Sequence, residues 1–465
     1  MRYLLALLIF FLTTADVFGW TASLAPGLSV KNAILYLIML ALAARFAVRG
    51  GMRLELPRVH LWFGVLIAYA TLSWLVAGLL LRYKSYTLVA SGIDLKASLL
   101  DNVLVFALYL YGTQTLADAK FLVKCVLLAV AAANAIAIGN VAGLFHIGVT
   151  TVGTEGNLAG RVFGAFGHAN ETAALIACLL PAYIAAALSS RAVTGLVWAL
   201  AGAVSATLMI MCGSRGAFVG LALTAVLASY ICRSIISWRR AAILVVILGA
   251  VAVPVLTLAS IKFGGILTER VTELILSPGT SSDERTYIWL PILDKMMANP
   301  VALITGFGWD SYEVMGFFYA THNHYLLLWF ELGIVGLACY LMVIRQLVIT
   351  ARRAAGAAPD ETARYLIAFI YGIIALSGAI FFTLIFKPWL YIWIYTGLTM
   401  RMAMIALQIA QPRARAEQRG ARAIGPAVAH AKRVAPRLTR VSPRGKDKTA
   451  SSSKETRVAR SREVE

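Results

Sequence analysis

Residues 323–344 read NHYLLLWFELGIVGLACYLMVI. Glu331 is the only acidic residue in this stretch, and there is no lysine or arginine. Helical residues rise ~1.5 Å each and the hydrocarbon core of a bilayer is ~30 Å thick, so about 20 apolar residues span it. The stretch therefore reads as a membrane-spanning helix. Working outward from it, comparable runs lie near 3–19, 30–48, 59–81, 97–117, 121–144, 169–189, 194–212, 216–232 and 241–261, then near 364–386 and 388–408. These runs are continuous, whereas a membrane β-barrel shows short alternating segments. The expected fold class is an all-α polytopic membrane protein of about 12 transmembrane helices.

Composition agrees. The 465 residues are 60% hydrophobic and 14% charged, with a mean hydropathy of +0.79, too little polar surface for a soluble domain. The net charge of +20 does not point to nucleic acid, because half of it sits in one place. Residues 412–465 hold 15 Lys/Arg against 5 Asp/Glu and almost no aromatics, a composition expected to stay disordered. The chain thus divides into a transmembrane domain, 1–411, and a basic tail, 412–465. The tail is expected to be cytoplasmic, held near anionic membrane lipids. Five dispersed cysteines suit small core positions better than a metal site or a disulfide framework. The first twenty residues resemble a signal peptide, but counting them as an uncleaved helix makes the topology consistent.

With twelve helices and the tail inside, the N-terminus is inside as well. The short loops then placed in the cytoplasm carry 14 Lys/Arg and those placed outside carry 7, as the positive-inside rule requires. The expected location is a bacterial inner membrane, crossed many times. The one long loop between helices, 262–322, falls on the periplasmic side. Its segment 283–297 has apolar residues at helical spacing and reads as an amphipathic helix on the membrane surface. Pro278-Gly279 and Asn299-Pro300 bound it.

Polar residues gather at the outer helix ends: Arg161, His168, Asn170 and Glu171; Ser214-Arg215-Gly216; Arg285; and His322-Asn323-His324, with Glu331 deeper. Each has a plain structural reading. Arg215 could cap the preceding helix, Asn170 could cap the next one, and Arg161 and Arg285 could be interfacial arginines. Glu331 could partner an arginine or a helix end, although an ionisable group at that depth is a functional candidate. Taken together they suggest more. Three arginines lie on the side where the charge rule disfavours them, and Arg captures phosphate oxygens bidentately. A neutral His beside them can take a proton from a hydroxyl.

Three stretches resemble the bacterial O-antigen ligase and polysaccharide polymerase superfamily: Arg161-Val-Phe-Gly-Ala-Phe-Gly-His-Ala-Asn170; Cys212-Gly-Ser-Arg215-Gly-Ala; and Arg285…Trp289 through Gly306-Phe-Gly308 to His322-Asn323, then nine residues to Gly333-Ile-Val-Gly336. The last matches the ligase-type pattern and is the most specific. The resemblance covers about 155–345. One departure is Val219, where the ligase Arg-x-x-x-Leu signature has leucine. The resemblance implies a membrane glycosyltransferase that needs no metal or other cofactor. Its donor would be a glycan on undecaprenyl diphosphate, and its acceptor lipid A core or a growing polysaccharide. Arg161, Arg215 and Arg285 would hold the diphosphate and His322 would be the base, with Asn170, Asn323, His324 and Glu331 in support. The sequence has no Asp-x-Asp motif to bind Mg²⁺ or Mn²⁺. The two glycines 333 and 336 would allow close helix approach. The motifs recur in polymerases and protein O-oligosaccharyltransferases, so the subfamily stays open. The alternatives are a lipid-linked oligosaccharide flippase, which would need polar groups along a path through the helices, and an envelope assembly scaffold.

Overall fold

Lipid offers the backbone no hydrogen-bond partners, so a crossing segment must satisfy its own amides, and the apolar runs become helices. The computed structural model describes residues 1–20, 22–48, 56–153, 161–235, 282–317, 319–384 and 389–410. It begins with α1 (Arg2–Val17), a hairpin of β1 (Ser23–Ala25) and β2 (Leu28–Ser29), then α2 (Val30–Val48) and α3 (Pro57–Val76). Next come α4 (Leu88–Leu95), α5 (Asp101–Gly112), α6 (Leu116–Val141), and β3 (Thr151–Val152) paired with β4 (Val162–Phe163). After these follow α7 (Ala169–Leu188), α8 (Ala192–Met211) and α9 (Arg215–Cys232). The C-terminal part holds α10 (Ser282–Met297), α11 (Pro300–Thr305), α12 (His324–Ala355), α13 (Asp360–Ala379) and α14 (Trp389–Ala410).

Among the described residues, nine helices are long and apolar enough to cross a membrane. The run read at 3–19 is the 16-residue α1, and the run at 97–117 is served by α5 joined to α4 through the π-helical turn Lys96–Leu100. The expected span at 241–261, the start of the long loop and the tail 412–465 lie outside the described residues. The amphipathic segment is a helix, α10. Its Ile292 and Met296 are buried while Tyr287 and Leu290 stay exposed.

Small residues let the central helices touch backbone to backbone. A Cβ on Gly372 of α13 would lie 2.1 Å from the Cys178 carbonyl oxygen of α7, and one on Gly220 of α9 would lie 2.2 Å from that of Ala375. Polar contacts mark the two ends of the bundle. At one end Arg2 of α1 pairs with Asp118 of α6 at 3.2 Å, and Arg401 of α14 donates to the Gln114 carbonyl at 3.2 Å. At the other end Asp16 of α1 accepts from Lys31 of α2 and from the Tyr391 hydroxyl of α14 at 2.6 Å. Asp101 there accepts from Lys96 at 2.9 Å, Asn32 at 3.2 Å and Tyr36 at 2.5 Å. Both carboxylates are thus paired rather than strung along a path through the helices.

The expectation of an unbroken helix through Glu331 and the two glycines is corrected. Gly333 has φ 64° and ψ −174°, so α12 breaks there. The freed Phe330 and Glu331 carbonyls accept the Phe307 and Gly308 amides, each at 2.9 Å. Gly306 and Gly333 are glycines because the end of α11 meets the backbone of α12 at this break. A Cβ on Gly306 would lie 2.2 Å from the Glu331 oxygen, and one on Gly333 would lie 2.1 Å from the Ile304 oxygen. The Gly333–Gly336 spacing therefore serves a chain break, not a small-residue helix face.

The loop after α11 rests on this break. The Glu331 carboxylate takes the backbone amides of Asp310 and Tyr312. Tyr83 and Tyr86 donate to the Phe307 and Trp309 carbonyls, each at 2.7 Å, and the Trp309 indole donates to Asp94 at 3.1 Å. Burial, with the nearby charges of Asp94 and Glu313, pushes the Asp310 carboxyl up to about 6. A carboxyl whose folded pKa is raised loses stability as pH climbs from its ordinary value through the raised one. Asp310 also sits at φ 58°, which Asn tolerates. Asp310→Asn is therefore expected to raise the melting temperature at pH 7.5 by about 1–2 °C and to give no gain at pH 4, as a pH series of thermal unfolding would show.

Candidate functional site

Three segments converge at the end of the bundle that holds Asp16 and Tyr391. The first is 161–170. Its Phe166 is fully buried and meets the Tyr391 ring edge-on at 4.9 Å, which ties it to the start of α14. His168 is the N-cap of α7, its Nδ1 accepting the Asn170 amide at 3.4 Å. The capping role considered for Asn170 thus belongs to His168. The Asn170 side-chain oxygen instead accepts from the Arg161 guanidinium.

The second segment is the turn 212–216 between α8 and α9. The Arg161 Nε donates to the Cys212 carbonyl at 2.8 Å, so Arg161 satisfies a carbonyl at the end of α8. Gly213, at φ 59°, lets the chain turn, and a Cβ there would lie 3.8 Å from Arg161 Nε. Arg161 is thereby brought within two residues of Arg215, which opens α9. Gly216 has no room for a side chain: a Cβ would lie 2.7 Å from that of Phe382 and 3.2 Å from the Ala379 oxygen.

The third segment is 321–326. His322 has φ 49° between buried Thr321 and Asn323. The Thr321 hydroxyl donates to the Asn323 carbonyl at 3.1 Å and lies 3.3 Å from its amide. Asn323 caps α12, accepting the Leu326 amide at 3.0 Å. The His324 amide donates to the Ile380 carbonyl at 2.9 Å. Its ring lies between Tyr340 and Trp389, with centroids 5.6 and 5.4 Å away. That aromatic setting is one of packing, and it leaves His322 the better candidate for chemistry.

Electrostatics links the segments. The His168 imidazole is held below its ordinary value by burial, then by Arg161, then by His322. Arg161, His168, Asn170, the Arg215 turn and His322 therefore share one neighbourhood. Arg285 lies on α10 one turn before Trp289, and its side chain is outside the described residues. Glu331 is not part of this group; it holds the 306–312 loop. Among the described residues, no three His, Cys, Asp or Glu are grouped to hold a metal ion. The arrangement offers guanidinium groups for an anionic oxygen beside an imidazole able to take a proton.

A depressed histidine contributes stability that is fully present above its ordinary value of ~6.5 and is lost as pH falls toward its lower folded value. Asp310 pulls the other way in the same range, so the sign that His168 fixes is a difference: between pH 7.5 and 5 the melting temperature of His168→Asn, which keeps a helix cap without a titrating ring, is expected to fall less, or rise more, than that of wild type.

Sequence reasoning noted His168 without a role and left Trp289 as one letter of a pattern. The indole donates to the Thr321 carbonyl at 2.7 Å, a contact across 32 residues that no local signal announces.

Comparison with known families finds a match to the O-antigen ligase family model over residues 200–341. No curated protein matches the chain. The matched segment includes the Arg215 turn, α10 and the segment 321–326.

Proposed function

We propose that this chain, whose residues 200–341 match the O-antigen ligase family model, is a periplasm-facing glycosyltransferase that needs no metal. It moves a glycan from undecaprenyl diphosphate to a sugar hydroxyl, on lipid A core or on a growing polysaccharide. The acceptor oxygen attacks the anomeric carbon while His322 takes the hydroxyl proton. The bond from that carbon to the diphosphate oxygen breaks, and its electron pair leaves with the lipid diphosphate. Arg161 and Arg215, joined by Arg285, meet the charge that develops on the leaving group, a preorganised electrostatic role.

The observation that carries this reading is the bond from Arg161 to the Cys212 carbonyl. It draws Arg161 to the turn that carries Arg215, and Arg161 and His322 each lie near enough to His168 to hold its imidazole down. The periplasmic side is supported by the two-to-one bias of Lys/Arg toward the opposite loops. A flippase is less well supported, since Asp16 and Asp101 are each paired to lysine.

The test uses purified full-length protein in lipid nanodiscs, an undecaprenyl-diphosphate-linked glycan, and either lipid A core or free glycan as acceptor. Transfer is expected with and without EDTA, and Arg215→Ala is expected to lower it by about 10²–10³-fold. Which acceptor is glycosylated separates ligase from polymerase. Transfer to neither, or transfer abolished by EDTA, overturns the reading.

A further inference from the structure

His322 is held in a conformation that a residue with a Cβ adopts only under constraint. At φ 49° its backbone lies in the left-handed region, which is unfavourable for a non-glycine residue unless the surroundings over-determine it. On its C-terminal side the constraint comes from the Asn323 cap and from the bond of His324 to Ile380. On its N-terminal side the Thr321 carbonyl is taken by the Trp289 indole at 2.7 Å. An indole N–H donates in one direction only, in the plane of its ring, so the bond fixes the peptide from which His322 departs.

The indole is itself fixed. Ile292 and Met296, three and seven residues on, share its helix face, and both are fully buried. Its ring meets Phe381 edge-on at 5.9 Å, and Phe381 meets Phe382 edge-on at 5.2 Å. Phe382 in turn packs on Gly216, the residue after Arg215. Trp289 therefore stands between the Arg215 turn and the His322 peptide, on the helix that carries Arg285 one turn earlier.

We propose that Trp289 is a positioning residue: its indole bond to the Thr321 carbonyl sets His322 for proton abstraction and ties that setting to the helix carrying Arg285. The proposal rests on the reading of His322 as the base. It differs from an interfacial anchoring role, in which any aromatic ring would serve.

Trp289→Phe separates the two, since it keeps the ring and removes the N–H. The assay is the nanodisc transfer reaction with undecaprenyl-diphosphate-linked glycan, with folding of each variant checked by thermal unfolding. Trp289→Phe is expected to lower kcat about tenfold while the donor KM changes less than about twofold, as for an interaction realised in the transition state. In a His322→Ala background the same substitution is expected to cause no further loss, because its effect passes through His322. A Trp289→Phe variant with wild-type kcat overturns the proposal. So does an equal loss in both backgrounds, which assigns Trp289 to general packing. Full activity in His322→Ala alone instead overturns the reading of the base, and the proposal falls with it.

Discussion

His322→Ala is expected to lower kcat for transfer by about 10²–10⁴-fold, the range that a positioned general base contributes. A sugar hydroxyl is a poor nucleophile with its proton in place, and the deficit falls on the chemical step. The donor KM should therefore stay within about threefold, since the arginines that would bind the diphosphate are untouched. His324→Phe is the matched control: that ring sits between Tyr340 and Trp389, and an aromatic replacement should cost far less activity. Steady-state transfer measured across donor concentration checks both. Equal losses in the two variants would remove the reason for choosing His322.

The largest structural effect is expected from Gly333→Ala. At φ 64° and ψ −174° the residue lies where essentially only glycine sits, and another residue there costs ~1–3 kcal/mol in strain. The added methyl would also lie 2.1 Å from the Ile304 oxygen and 2.6 Å from the Gly306 nitrogen. Both are backbone atoms, so no side chain can swing aside. Moving them breaks the bonds of Phe307 and Gly308 to the helix end and leaves polar groups unpaired at membrane depth. Together these remove a large part of the ~5–15 kcal/mol that stabilises a typical fold. Gly333→Ala should yield little monodisperse protein by size-exclusion chromatography. Gly64→Ala, where nothing lies within 4 Å of the new atom, should be indistinguishable from wild type.

Most of the helices were legible because hydropathy is local: nine of the runs read from the sequence are, among the described residues, helices long and apolar enough to cross a membrane. The Arg161, Arg215 and His322 segments were legible as candidates for the same reason, through residue types at helix ends. What joins them was not. The bond from Arg161 to Cys212 and that from Trp289 to Thr321 depend on which loops the packed helices bring together, and no spacing encodes that. Asn170 was expected to cap a helix because Asn does so often. His168 took the cap two residues earlier, which freed Asn170 for Arg161. Gly333 was misread for an instructive reason. A glycine inside an apolar run looks like a contact residue until the loop segment 306–308 is seen lying across it.

The contact of Phe166 with Tyr391 has a consequence for biosynthesis. The loop carrying Arg161 and Asn170 is completed when α7 enters the membrane, yet the ring it leans on is made 225 residues later, at the start of the last crossing. Asp16, from the first helix, waits for the same tyrosine. A nascent chain thus displays its arginines early but has no finished floor beneath them until α14 is in place. Assembly of the proposed centre is thereby tied to completion of the whole bundle, and a chain cut before residue 389 would carry the site's residues without the site.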